Sequence, residues 1–350
     1  MANSQRDLLV IVLAAGHGTR MRSAMPKVLH HVAGRSILGH VMAVATQTGA
    51  SRTVVVTSPA QSDVSSEARK HNDAAIIAIQ HEQLGTAHAV LAARTELESH
   101  AGPVVVLNGD VPLIRPETLK TVVQQLNAGD DIVVVGFDTP EPAAYGRLIR
   151  DGSGKLQEIV EHADADDAQR AVTLCNSGII AFGSGRALPA LDRISNDNAQ
   201  GEYYLPDAVN IIRGDGGSAG VALADANDVL GINSRVQLAE AEAIYQVRRR
   251  REIMEGGVTM IAPDTVTLSF DTQIDRDVIV EPNVFFGPGV TVESGARIRA
   301  FSHLEQTHIG PDATIGPYAR LRPGANLGAG TRVGNFVEIK AAEIEAGAKV

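Results

Sequence analysis

The chain has 350 residues, 21% of them charged and only 3% aromatic, and carries a formal net charge of −10 at pH 7. That length allows two or three domains with cores of their own, and the acidic balance argues against broad binding to nucleic acid or to an anionic membrane surface. The single cysteine, Cys175, cannot form an internal disulfide. Residues 1 to 7 lead into only about eight apolar residues with no small-residue cleavage site, too short for a membrane span, so the chain reads as cytoplasmic.

The first predicted element is a strand. Leu8 to Leu13 is a short, near-continuous aliphatic run, as expected of a parallel strand buried on both faces. It runs straight into Gly16 and Gly18, which let a backbone turn tightly and approach an anion, and then into Arg20, Arg22 and Lys27. A loop that offers amide N–H groups together with cations suits a triphosphate. The dinucleotide fingerprint G-x-G-x-x-G fails at Met21, and no acidic residue closes the next strand, Thr53 to Thr57. The Walker pattern fails because Lys27 follows Pro26 and precedes Val28. Taken alone, a G-x-G is equally compatible with a plain structural turn.

Apolar strands and helical patterns then alternate over the first 230 or so residues, the mark of an α/β layer fold with a mainly parallel sheet. A helix is expected over residues 37–47, strands over 53–57 and 76–79, a helix over 86–98 and a strand over 104–107. The last of these ends in Asn108-Gly109-Asp110. Ligands bind beyond the carboxyl ends of strands in such sheets, so Asp110 is a candidate ligand for a hard cation. The alternative is that it caps the following helix, since Val111-Pro112 begins a turn and Asp is a favoured cap. His81-Glu82 is no zinc motif, because H-E-x-x-H would need His at Gly85. Cys175, in the β-like run 172–176, is expected to be a small buried hydrophobe.

Helical spacing returns from Ser234 to Glu255, with Gly256-Gly257 as a stop. From about residue 264 the period changes. Small or β-branched residues recur every six positions at Val278, Val284, Val290, Ala296 and Ser302, and again at Ala313, Ala319, Ala325, Thr331 and Val337, with an eleven-residue step between the runs and another leading to Ala348. A larger apolar residue follows each by two, from Val280 to Val350, and each eleven is a six plus a five, with Ile309 and Ile344 in the short units. This hexapeptide pattern predicts a parallel β-helix, whose narrow aliphatic core agrees with the low aromatic content.

The string L-A-A-G-x-G-T-R-M-x(4)-P-K resembles the signature of sugar-1-phosphate nucleotidylyltransferases. Further ordered motifs widen the resemblance: Gln80 with Gln83-Leu84-Gly85-Thr86, Gly109-Asp110-Val111-Pro112, Tyr145-Gly146-Arg147, Ile159-Val160-Glu161-His162, Asn176-Ser177-Gly178-Ile179, Gln200-Gly201-Glu202-Tyr203-Tyr204 and Gly231-Ile232-Asn233-Ser234-Arg235. Over essentially all of its length the chain resembles the bacterial bifunctional UDP-N-acetylglucosamine pyrophosphorylase and glucosamine-1-phosphate N-acetyltransferase family. The resemblance implies a Rossmann-like uridylyltransferase domain over 1–235, a linker helix over 236–256 and a left-handed β-helix acetyltransferase domain over 257–350.

It further implies that Leu13, Ala14, Ala15 and Gly16 with Gln80, Gly85 and Thr86 hold uridine and phosphates, and that Arg20 and Lys27 neutralise the triphosphate. Asp110 and Asn233 would hold Mg²⁺, and Gly146, Glu161, Asn176 and the segment around Tyr203 would read the sugar. Asn108, before Gly109, stands where some relatives carry an aromatic, which puts its nucleotide contact in question. The implied reaction joins UTP and N-acetylglucosamine 1-phosphate to give UDP-N-acetylglucosamine and pyrophosphate. Arg322 and Lys340 match positions that bind an amino-sugar phosphate, and the β-helix of the family is homotrimeric and uses acetyl-CoA. The chain ends at Val350 in mid-repeat, before the family's catalytic histidine, so a truncated chain with an inactive acetyltransferase half is expected. Two rival functions are a related enzyme using glucose 1-phosphate and a non-catalytic nucleotide-sugar sensor.

Overall fold

The computed structural model describes residues 7–152, 154–198 and 200–350, and they form two compact units. One comprises residues up to 30 and 36–238; the other comprises 31–35 and 239–350. In chain order the elements are β1 (Leu9–Leu13), β2 (His31–Val32), β3 (Arg35–Ser36), α1 (Ile37–Gln47), β4 (Arg52–Thr57), α2 (Ser62–His71), β5 (Ile76–Ile79), α3 (Thr86–Leu91), α4 (Arg94–Glu98), β6 (Val104–Asn108), α5 (Pro116–Ala128), β7 (Ile132–Asp138), β8 (Arg147–Arg150), β9 (Leu156–Val160), α6 (Asp167–Arg170), β10 (Leu174–Phe182), α7 (Ala187–Leu191), α8 (Asp207–Gly214), β11 (Ala219–Leu223) and α9 (Arg235–Glu255), followed by the short strands of the repeat region.

The first unit is built on a nine-stranded sheet with the order β11-β7-β10-β6-β1-β4-β5, to which β8 and β9 attach beside β10. Neighbours along the main path are parallel except for β10, which runs antiparallel to both β6 and β7. Both faces are buried, so the central strands are aliphatic throughout. Val10 and Val12 point into a cluster with α1, α2 and α5, whereas Leu9 and Ile11 point into one with α3, α4, α7 and α8. The element bounds end where local chemistry ends them: α5 starts with Pro116 in its first turn and stops at Gly129, whose φ is 115°.

The helix expected over 86–98 is two helices. At Ala92 the N–H is shared between the carbonyls of His88 and Ala89, both at 3.2 Å, and the Ala93 N–H goes to Val90 at 3.0 Å. That three-residue spacing tightens the turn, and Ala93, at φ −94° and ψ 23°, leaves the helical region before α4 restarts.

In the second unit the repeat closes into three parallel sheets, pairing for example Ile279 with Arg297, Arg297 with Thr314 and Thr314 with Arg332. A residue with positive φ stands at each corner, at positions 277, 283, 289, 295 and 301, then 306, 312, 318, 324, 330 and 336, then 341 and 347. The corner period is thus six, with single steps of five ahead of Thr307 and Ala342, where the two shortened units lie. The small residue after each corner and the larger one two further on point inward: Val278, Val280, Phe286, Ile298, Leu304, Ile315 and Leu321 are all 0% exposed. The architecture is the hexapeptide β-helix, consistent with left-handed winding. Among the described residues no helix is long and apolar enough to cross a membrane.

Candidate active site

The loop after β1 is shaped by what flanks it. Leu13 lies in register between Val56 of β4 and Asn108 of β6, and the Ala14 N–H continues the ladder by donating to the Val56 carbonyl at 2.8 Å. The chain then leaves the sheet. Gly18 has φ +61°, and a Cβ there would stand 2.6 Å from Cβ of Lys27, so only glycine fits. The 3-10 turn Thr19–Met21 follows and is anchored by Met21, which is 1% exposed. Two glutamines tie the loop's carbonyls back: Gln83 Nε2 donates to Ala15 O at 2.7 Å and Gln61 Nε2 to Gly16 O at 3.2 Å. The N–H groups of Ala15, Gly16, His17 and Gly18 find no acceptor among the described residues. A run of free backbone donors is what an anion needs.

Asp110 stands one step beyond β6. The Gly109 N–H donates to Leu13 O at 2.8 Å, and a Cβ on Gly109 would meet that oxygen at 2.7 Å, so this glycine lets the ends of β1 and β6 close together. The Asp110 carbonyl accepts from Ile232 N at 2.9 Å, which delivers Asn233 to the same place. Asn233 is fixed in turn by α9: Ser234 Oγ caps the Gln237 N–H at 3.2 Å, and Gln237 Oε1 accepts from Asn233 N at 2.8 Å. Lys27 Nζ donates to Asp110 Oδ2 at 2.5 Å and to Asn233 Oδ1 at 2.9 Å. The capping alternative for Asp110 does not hold, because α5 begins at Pro116 with Arg115 before it.

A cleft of about 410 Å³ opens over Lys27 and Asp110; Asn233 is not part of its lining and reaches it through Lys27. Its walls bring together Leu13, Ala14, Ala15, Gly16, Lys27, Gln80, Gly85, Thr86, Asn108 and Asp110, joined by Val28, Gln83, Ala89 and Glu202. Gly85, at φ +117°, lies against the backbone of Tyr203, and Thr86 Oγ1 accepts from Leu205 N at 3.0 Å. Gln80 is buried with its Nε2 3.4 Å from His88 Nδ1. Asn108 Nδ2 donates to Ser177 O at 3.4 Å, which ties this wall to β10.

The expected sugar-reading residues form an adjoining group. The Asn176 N–H donates to Gly146 O at 2.8 Å, Asn176 Oδ1 accepts from Gly178 N at 2.9 Å, and a Cβ on Gly146 would lie 3.1 Å from Glu161 Oε1. Burial, with Asp164 and Asp207 adding their charge, pushes the Glu161 carboxyl above the usual carboxylate range. Arg20 stands apart, exposed on the 3-10 turn and outside the cleft walls. In the β-helix, Arg322 pairs with Glu338 at 2.9 Å and Lys340 is exposed.

Sequence reasoning gave no role to Gln61, Gln83, Asp164 or Asp207. Gln83 carried a signal, since it sits in the motif that supplied Gly85 and Thr86; the others had none, because their contacts depend on how separate strands are arranged.

Residues 10–201 match the family described as MobA-like NTP transferase domain, and residues 306–341 match Bacterial transferase hexapeptide (six repeats). The chain is 55% identical over 347 residues to a Bifunctional protein GlmU of Azorhizobium caulinodans, covering 99% of this chain and 77% of that protein. The same protein of Xanthobacter autotrophicus is also 55% identical over 347 residues, with the same coverage. That of Zymomonas mobilis is 44% identical over 349 residues, covering 99% of this chain and 78% of the relative. The first unit is therefore a nucleotidyltransferase domain, the second carries a transferase hexapeptide repeat, and the chain belongs to the GlmU family of bifunctional proteins.

Proposed function

We propose that the first unit transfers a uridylyl group from UTP to N-acetylglucosamine 1-phosphate, giving UDP-N-acetylglucosamine and pyrophosphate with the help of Mg²⁺. The observation that carries this reading is the convergence of one carboxylate, one amide oxygen and one ammonium at a cleft floored by free backbone N–H groups. The donor set fits the metal. Asp110 Oδ2 and Asn233 Oδ1 already converge on a single cation, the Lys27 ammonium, and both are hard oxygens. Among the described residues no group of three or more His, Cys, Asp or Glu is placed to hold a metal. Few protein ligands suit Mg²⁺, which keeps waters and takes substrate oxygens. When bound by Asp110 and Asn233 it would neutralise charge on the phosphates.

The remaining roles belong to the chain. The N–H groups of the loop, with Arg20 and Lys27, take the triphosphate, and Leu13 to Gly16, Gln80, Gly85 and Thr86 hold the nucleoside, with Asn108 and Gly109 closing the wall beside them. Gly146, Glu161 and Asn176 receive the acceptor sugar. No covalent nucleophile is required, because the sugar phosphate arrives as an anion; catalysis is positioning plus charge stabilisation.

For the second unit the reading is part of the family's acetyltransferase domain, which in the full-length protein acetylates glucosamine 1-phosphate with acetyl-CoA, within a cytoplasmic homotrimer assembled through the β-helix. Supporting it, the register Leu321 to Ile339 sets Arg322 and Lys340 on adjacent coils, where two cations can share one phosphate.

The test is pyrophosphate release from UTP with each candidate acceptor, with and without Mg²⁺. N-acetylglucosamine 1-phosphate should give Mg²⁺-dependent turnover, and Asp110→Ala should lower it by at least about a thousandfold with the melting curve unchanged. Faster turnover with glucose 1-phosphate would favour the first rival. No turnover with any acceptor would favour the sensor.

A further inference from the structure

Lys27 was expected to meet the triphosphate, yet its ammonium is spent on two other groups. They are Asp110 Oδ2 at 2.5 Å and Asn233 Oδ1 at 2.9 Å, the two oxygens read as metal ligands. The side chains of Lys27 and Asp110 are 13% and 20% exposed, so solvent screens this pair only in part. An ammonium so close to both oxygens takes one lone pair of each and fills the space between them, and two cations within one coordination distance repel strongly. The two are alternatives at one place.

We propose that Lys27 is the resident counter-ion of the divalent-cation site, which it leaves for the triphosphate as the metal enters, so that metal and nucleotide bind with positive coupling. This rests on the nucleotidyl-transfer reading above. The local structure separates a fixed part from a moving one. The Lys27 backbone is held in the 3-10 turn Lys27–Leu29 behind Pro26, and its Cβ is packed against Gly18. Beyond Cβ the stem is a flexible chain that lines the cleft, so the ammonium can move to a phosphate while the loop stays in place. Without a phosphate to receive it, the ammonium has nowhere better to go than Asp110, and the metal must compete for its ligands. Coupling of this kind is reciprocal: the nucleotide should tighten the metal as much as the metal tightens the nucleotide.

The experiment titrates the full chain with Mn²⁺, a hard cation whose free form is read by electron paramagnetic resonance, first with no nucleotide present. Lys27→Met keeps an unbranched, flexible stem one heavy atom shorter and removes the charge. It should bind Mn²⁺ about tenfold more tightly than the wild type, the scale of one partly screened charge pair. Lys27→Arg, which keeps the charge, should show a much smaller gain. Adding a UTP analogue with a non-hydrolysable α–β bridge should tighten Mn²⁺ in the wild type and cancel the advantage of Lys27→Met. Unchanged or weaker Mn²⁺ binding by a Lys27→Met protein that melts like the wild type would overturn the proposal. So would a Lys27→Met/Asp110→Asn double variant that binds Mn²⁺ as tightly as Lys27→Met alone, because the ion would then lie elsewhere. A wild type that releases no pyrophosphate would overturn the transfer reading and not this one, since the titration without nucleotide reads the cation site directly.

Discussion

Ile298 meets its sheet neighbours one coil away, at Val280 and Ile315, whereas Lys27 meets its partners 83 and 206 residues along the chain. The β-helix is specified by repetition: each coil stacks on its neighbours, and the residue type at each of six positions decides whether it faces in, faces out or turns the corner. The nucleotidyltransferase unit is specified by convergence, in which strands of unexceptional sequence deliver single side chains to one edge of a sheet. The cost of a substitution in the first case follows from repeat position. In the second it follows from which distant group loses its support.

A core substitution in the β-helix tests that separation most severely. Ile298→Ala empties a 0% exposed inward position and should destabilise the second unit by about 3 kcal/mol, read from its urea unfolding midpoint. Uridylyl transfer should stay within about twofold of wild type, because every cleft residue belongs to the first unit. Transfer that fell in step with β-helix stability would break the contrast. Gly85→Ala tests the convergent half. Its φ of +117° disfavours any Cβ, and the new atom would lie 2.6 Å from Tyr203 O and 2.7 Å from Tyr203 N, backbone atoms that cannot swing away. A loss of about 2 kcal/mol is expected, with a KM for UTP raised about tenfold. An unchanged KM would remove the 85–86 segment from the nucleotide site.

The same contrast explains what was legible in the sequence. β1 and the glycines after it could be read because an aliphatic run and a turn are local events, and the β-helix could be read because a period of six recurs over most of its length. The placement of β10 could not: nothing within Leu174–Phe182 says that it will insert antiparallel between β6 and β7. The hold of Gln61 on Gly16, through a side chain 45 positions away, was equally hidden. Asp110 was legible as a candidate because it closes a strand, but the start of α5 at Pro116, which removes the cap, and the arrival of Lys27 and Asn233 beside its carboxylate were not. Residues 31–35 grouped with the second unit for the same reason, since Ser269 Oγ, far along the chain, donates to Ala33 O at 3.0 Å.

A smaller effect sharpens the repeat argument. Ser302 occupies the inward small-residue position filled in most coils by Val or Ala, is 1% exposed, and its Oγ has no hydrogen-bond partner among the described residues. Thr307 and Thr331 also carry inward hydroxyls, but each donates to a carbonyl at 2.6 Å, those of Ala325 and Gly328. Ser302→Ala should therefore raise the stability of the second unit by about 1 kcal/mol, whereas Thr331→Val should lower it by a similar amount. Equal responses in the two variants would mean that repeat position alone, without hydrogen bonding, decides the cost.

The smallest expected shift belongs to Glu161 and depends on pH. Burial raises its pKa first, with Asp164 and Asp207 adding to it, so the folded protein holds this proton more tightly than the unfolded chain, whose reference value is 4.5. A raised carboxyl pKa favours folding where the group is protonated and penalises it once the group must ionise, so this contribution to stability falls as pH rises through the folded pKa. Glu161→Gln removes the penalty. The variant and the wild type should melt together at pH 4, and the variant should gain no more than about 0.5 kcal/mol by pH 8, the effect being limited by solvent reaching a partly exposed group. Over the same range its KM for N-acetylglucosamine 1-phosphate should rise, because the carboxylate proposed to receive the sugar is gone. A variant less stable than wild type at pH 8 would show that the Glu161 charge is supported by its surroundings, and the adjoining acidic group would then be a structural part of the first unit's fold instead of a cost carried for the acceptor.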